Sequence, residues 1–161
     1  MFKKFIKCCA LFIGASASAA STQSVVRSGE LGGFKGDSRY FTGEVSVSML
    51  FKSDTYRPFS GALVEFSPKA RTAWHTHPAG QTLIVTKGQI YTATKNGVLQ
   101  IANTGDVILC PPDVKHFHGA GLETKAAHIA LTAEKDGKNV TWMEHVSDEE
   151  YEKLVKQDKK D

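Results

Sequence analysis

The chain has 161 residues, 41% of them hydrophobic and 23% charged, the size and composition of one globular domain with its own core. These values argue against a collagen-like repeat, a wholly disordered chain or a multi-span membrane protein. The formal net charge of +3 sits at one end: without Lys3, Lys4 and Lys7, the Lys and Arg residues equal the 17 Asp and Glu residues, so charge alone gives no attraction for nucleic acid or anionic lipid.

Those three lysines open a segment with the order of an export signal. A short apolar run from Cys8 to Ile13 follows them, and then small residues from Gly14 to Ser21, with Ala15-Ser16-Ala17 and Ala17-Ser18-Ala19 as cleavage candidates. The apolar run falls well short of the roughly 20 residues needed to span a bilayer. Residues 1–20 are therefore expected to be a cleaved signal peptide, leaving a secreted, periplasmic protein with no membrane attachment. Cleavage also removes Cys8 and Cys9. Cys110 is then left alone, expected as a small buried apolar residue in a disulfide-free domain.

Residues 21–40 are rich in Ser, Gly and charge and read as a flexible arm. From Phe41 the pattern changes to short alternating segments. Strands are expected over 45–51, 62–66, 72–77 and 82–86, with breaks at Ser67-Pro68, Pro78-Ala79-Gly80 and Lys87-Gly88. Segments 89–94 and 98–101 flank Asn96-Gly97, a strong hairpin signal. Strands at 107–110, 115–118, 126–132 and 140–144 complete the set, and Pro111-Pro112 ends the first of them. Turns at this spacing predict an all-β sandwich or barrel. A helix closes the domain: Ser147 with Glu150 makes a capping box, and Tyr151, Leu154 and Val155 form one apolar stripe. The domain is thus expected over 41–155, followed by a charged tail at 156–161.

All histidines but His145 lie between residues 75 and 128. His75 and His77 are two residues apart on one strand and share a face. Gln81 follows just past a Pro-Gly turn, and His116 arrives on a later strand. Two imidazoles on one strand, a third across the barrel and a nearby amide oxygen suit a divalent metal such as Mn, Fe, Ni or Zn. His118 shares the face of His116, and His128 points inward from its own strand. Each is a candidate to move a proton, since imidazole titrates near working pH.

Gly61 together with the run from Arg71 to Gly88, which contains His75-Thr76-His77-Pro78-Ala79-Gly80-Gln81, resembles the first cupin motif. The run from Gly105 to His116, containing Pro111-Pro112-Asp113 and His116, resembles the second. The chain looks most similar to small bacterial single-domain cupins of the manganese-dependent hydroxynitrile lyase kind. That resemblance implies a cupin double-stranded β-helix, a jelly-roll barrel with one metal ion in its mouth, Mn2+ favoured, held by His75, His77, Gln81 and His116. It implies that His118 and His128 line the pocket beside the metal, that Thr72 touches a small-molecule substrate, and that Val64 and Phe66 shape an apolar wall. Most cupins carry a glutamate where this chain has Gln81, which acts here either as a ligand or as a hydrogen-bond donor beside the ligands. As a ligand, the neutral amide leaves the centre close to +2 and strongly polarising. By the same resemblance Thr132 lies beside the substrate, but those lyases have a glutamine there, which puts the lyase substrate in question. A dioxygenase, a decarboxylase or isomerase, and a non-catalytic ligand-binding role all remain open on the same pocket. Small cupins commonly pair at a sheet edge, so a homodimer is expected.

Overall fold

The computed structural model describes residues 22–95 and 97–158. The expected export signal, Asn96 of the expected hairpin turn and the end of the charged tail lie outside the described residues. In chain order the strands are β1 (Gly33–Lys35), β2 (Phe41–Thr42), β3 (Val45–Phe51), β4 (Phe59–Phe66), β5 (Arg71–Thr72), β6 (His75–Thr76) and β7 (Gln81–Lys87). They continue with β8 (Gln89–Thr94), β9 (Gln100–Asn103), β10 (Val107–Cys110), β11 (His116–Ala120), β12 (Ala126–Ala133) and β13 (Thr141–Trp142), and the chain closes with the helix α1 (Asp148–Asp158).

Two antiparallel sheets face one another as a jelly-roll barrel. One runs β1-β3-β4-β12-β7-β10, and the other runs β13-β6-β11-β5-β2 with β8 and β9 joined through β11. Because side chains alternate across each strand, every inward residue has outward neighbours. Val45, Val47, Val64, Phe66, Leu83, Val85 and Ile90 form one buried apolar cluster. Trp74, Phe117, Val146, Tyr151 and Val155 form a second, which holds α1 against its sheet.

Helix α1 starts as its cap predicts. The Glu150 N–H donates to Ser147 Oγ at 3.0 Å, and Asp148, Glu149 and Glu150 supply negative charge to the first turn. The expected capping box is only half made. The Glu150 carboxylate accepts instead from Trp74 Nε1 at 3.2 Å and Lys95 Nζ at 2.7 Å. Arg71, 2% exposed, ties the helix to β5: it donates to the Val146 carbonyl and to Asp148 Oδ1, and it lies 4.7 Å from the Tyr151 ring centre.

Three expectations about elements need correction. The single strand expected over 72–77 is two, β5 and β6, because Ala73 and Trp74 turn to other partners. The Ala73 N–H donates to Tyr40 O at 2.7 Å, and the Trp74 N–H to Glu144 O at 2.9 Å. The strand expected over 140–144 shrinks to Thr141–Trp142, paired with Thr76 and His75. The arm is not loose throughout: Gly33, Phe34 and Lys35 pair with Ser48, Val47 and Ser46 along the open edge of β3, which has unsatisfied backbone groups to offer.

Candidate metal centre

His75 sits at the crossing of the elements that build the site. Strand register places it opposite His116 on β11 and opposite Trp142 on β13. The His75 and His116 ring centres are 4.3 Å apart, and those of His75 and His77 are 4.9 Å apart. The loops carrying these rings are stitched together. The His77 carbonyl accepts from the Gly80 N–H at 3.2 Å and from the Asp113 N–H at 2.9 Å, joining the turn after His77 to the turn before His116. Gly80 holds that turn at φ 79°, and a side chain there would meet the Cys110 carbonyl at 2.9 Å.

Each of the three rings is fixed by its Nδ1. His75 Nδ1 lies 2.9 Å from Ala73 O, His77 Nδ1 2.5 Å from Asn139 O, and His116 Nδ1 2.8 Å from Val114 O. A carbonyl only accepts, so in each case Nδ1 carries the hydrogen and Nε2 keeps the lone pair. Backbone anchoring of this kind orients metal-binding imidazoles. Nε2 of His77 and His116 and Oε1 of Gln81 are buried without a hydrogen-bond partner. Unpartnered buried acceptors of this kind are costly, and a cation offsets that cost. Three imidazole nitrogens and an amide oxygen fit a divalent transition metal.

The inner wall carries the other two histidines. His118 Nδ1 and His128 Nε2 are 3.0 Å apart in one hydrogen bond, with His118 Nε2 and His128 Nδ1 left unpartnered. The His118 backbone N–H donates to Thr72 Oγ1 at 3.1 Å. Gly119, next on β11, permits this approach: a side chain there would come within 2.4 Å of the Ala70 carbonyl. Burial lowers the pKa of every histidine in the group. His77 falls to about 4 and His128 to about 3, and burial, with neighbouring imidazoles adding to it, holds His75 and His118 well below the usual imidazole range. The cluster is uncharged at neutral pH, which is the state that binds metal.

His75, His77, His118 and His128 open onto a cavity of about 540 Å³, to which Val64, Thr72, Gln81 and Thr132 also contribute, while His116 lies outside its lining. Phe66, expected in its wall, lies outside the lining and packs behind the histidine pair, 5.5 Å from His128 and 6.0 Å from His118 between ring centres. Thr132, expected beside substrate, accepts from Gln81 Nε2 at 3.0 Å. The ligating atoms of His75, His116 and His118 lie within 4.8 Å of one another, a group that brings His118 beside two of the expected ligands. Sequence reasoning missed part of the mouth. Trp142, read only as packing, sits 4.9 Å from His75 and stacks on Tyr40. Tyr40 and Phe34 come from the supposed arm, and no periodic pattern marked them. His145 is exposed, as expected, with Nδ1 3.2 Å from Thr42 Oγ1. Cys110 is free and only partly buried, its thiol pushed up to about 11 by burial.

A jelly-roll barrel with anchored, buried imidazoles at its mouth defines a class of small β-barrels whose histidines could bind a metal ion. Residues 62–131 match the cupin domain family, and the chain belongs to that family. It is 45% identical over 127 residues to an (R)-mandelonitrile lyase from Granulicella tundricola, covering 79% of this chain and 97% of the relative. Among solved structures, a cupin-like protein from Thermotoga maritima is similar, with TM-score 0.71 and 35% identity over 82% of this chain and 97% of that one. A cupin 2 conserved barrel domain protein from Rhodopseudomonas palustris shares the fold, with TM-score 0.59 and 12% identity over 86% of this chain and 95% of that one.

Proposed function

We propose that the protein is an exported, metal-dependent lyase acting on a small hydroxyl or carbonyl compound, with cyanohydrin cleavage as its reaction. The observation that carries this reading is the set of buried, unpartnered acceptors on His77, His116 and Gln81 beside the hydrogen-bonded His118–His128 pair. The similarity to a mandelonitrile lyase supports the choice of substrate. His75, His77, His116 and Gln81 would hold the ion, Mn2+ by that resemblance, which when bound supplies Lewis-acid polarisation of a substrate oxygen.

The rest falls to the chain itself. His128 is uncharged at neutral pH, so its unpartnered Nδ1 can take the substrate hydroxyl proton. Its Nε2–H then donates to His118 Nδ1, and His118 Nε2–H is free to donate to the departing group. As the hydroxyl proton leaves, the carbon–oxygen bond becomes a carbonyl and the bond to the nitrile carbon breaks. Cyanide departs with the electron pair and recovers the proton from His128. Thr72 holds His118 in place, and Val64 gives an apolar surface to the remainder of the substrate.

The test is release of benzaldehyde from mandelonitrile by Mn2+-loaded protein. Turnover is expected, and His128→Ala should lower kcat by about 10²–10⁴ while the metal stays bound. Absence of turnover would reject cyanohydrin cleavage. The compact His75, His116 and His118 group favours a second arrangement in which His118 is a ligand. In that arrangement His118→Ala abolishes metal binding, whereas in the first it leaves the metal in place.

The proposed location is the periplasm, supported by the lysine-rich and then apolar start of the sequence. The proposed assembly is a homodimer, supported by edge strand β10, whose Val107 and Leu109 are 53% and 73% exposed.

A further inference from the structure

An amide has two unlike ends, and a cation can use only one of them. Gln81 begins β7, where register places it directly opposite Thr132 on β12. Its Nε2 donates to Thr132 Oγ1 at 3.0 Å, and its Oε1 is buried with no partner. The Gln81 side chain neighbours the His77 imidazole, whose Nε2 is also a lone-pair acceptor without a partner. Two buried, unpartnered acceptors on neighbouring side chains are unfavourable without a proton or cation to share. Turning the amide over would relieve the conflict, since its NH2 end could donate to His77 Nε2. The Thr132 hydroxyl opposes that flip by giving the NH2 end a partner on the other side.

We infer that Thr132 is a positioning residue that locks the Gln81 amide with its oxygen toward the imidazole cluster, so that the pocket presents an acceptor to a metal ion. It acts on the metal through Gln81. This rests on the metal-centre reading above and deepens it. A carboxylate in place of Gln81 has two equivalent oxygens and no wrong way round, so the need for Thr132 arises from the amide.

The experiment is a calorimetric titration of chelator-stripped protein with Mn2+ alone, on the full chain. Thr132→Val keeps the shape and removes the hydroxyl, and is expected to weaken Mn2+ binding about 10–100-fold. Thr132→Ser restores an oxygen and should bind within about threefold of the unaltered protein. In a Gln81→Glu background, Thr132→Val should change affinity little, a coupling that general structural damage would not produce. Circular dichroism confirms the fold, with Thr132→Ala as the substitute should Thr132→Val be insoluble. Equal affinity of Thr132→Val and the unaltered chain, or equal loss in both backgrounds, overturns the role of Thr132 alone. No Mn2+ binding by the unaltered protein overturns the metal centre with it.

Discussion

Trp74 and His75 are neighbours in sequence but answer to different physics, and so do Phe117 and the histidines that flank it. Trp74 and Phe117 pack edge to face at 5.1 Å between ring centres, in a cluster with Tyr151, Val146 and Val155. That cluster is apolar apart from a few satisfied polar tips, such as the Tyr151 hydroxyl donating to the Ala120 carbonyl. The histidine cluster holds five buried imidazoles and several polar atoms with no partner. The same pleat sends stability to one side of β11 and chemistry to the other. The helix-covered patch stabilises the barrel, while the imidazole chamber weakens it until something fills it.

The contrast can be broken most severely from the packed side. Tyr151→Ala removes a buried ring, its hydrogen bond and its contact with Arg71, and should cost about 3–5 kcal/mol in chemical denaturation. The folded fraction should still bind metal, because no histidine touches that ring. From the other side, His116→Ala should weaken Mn2+ binding by more than the roughly 100-fold that loss of a supporting hydrogen bond causes. The metal-free stability of that variant should fall less than in Tyr151→Ala, since the ring gives up one hydrogen bond, from Nδ1 to the Val114 carbonyl, and its Nε2 has no partner to lose.

Acid sharpens the comparison further. In the unfolded chain these histidines take up protons near pH 6.5, whereas in the fold His77 resists until about 4 and His128 until about 3. The unfolded state therefore binds more protons between these values, and stability rises with pH. The metal-free protein should be most stable above about pH 7 and lose stability as pH falls from about 6.5 to 3. A flat denaturation midpoint across that range would contradict the burial of these groups. The smallest effect belongs to the rim: Lys95→Ala removes a partly exposed ion pair with Glu150 and should cost no more than about 1 kcal/mol.

Much of this division was legible in the sequence because alternation is a local property. The period-2 patterns placed Val45, Val47, His128, Ala130 and Thr132 inward, although bulges at Met49–Phe51 and Ala127–His128 break the alternation, and the spacing of His75, His77 and His116 announced a shared interior. What escaped was set by distant partners. Ala73 and Trp74 leave their strand because Tyr40 and Glu144 take up their amides. The glycine-rich composition of the supposed arm hid the short strand that pairs with β3. Phe66 points inward as expected, but whether it meets the cavity or the back of His128 depends on how the sheets close. Glu150 satisfied a capping pattern by spacing, yet Trp74 and Lys95 were stronger claims on its carboxylate. Trp142 gave no sign in the chain that it would stand over His75.

The central claim is that the anchored imidazoles form a divalent metal centre, and metal stoichiometry tests it most directly. Chelator-stripped protein should take up one Mn2+ per chain on calorimetric titration, and His75→Ala, folded by circular dichroism, should take up none. No uptake by the unaltered protein, or the same stoichiometry and affinity in His75→Ala, would contradict the account.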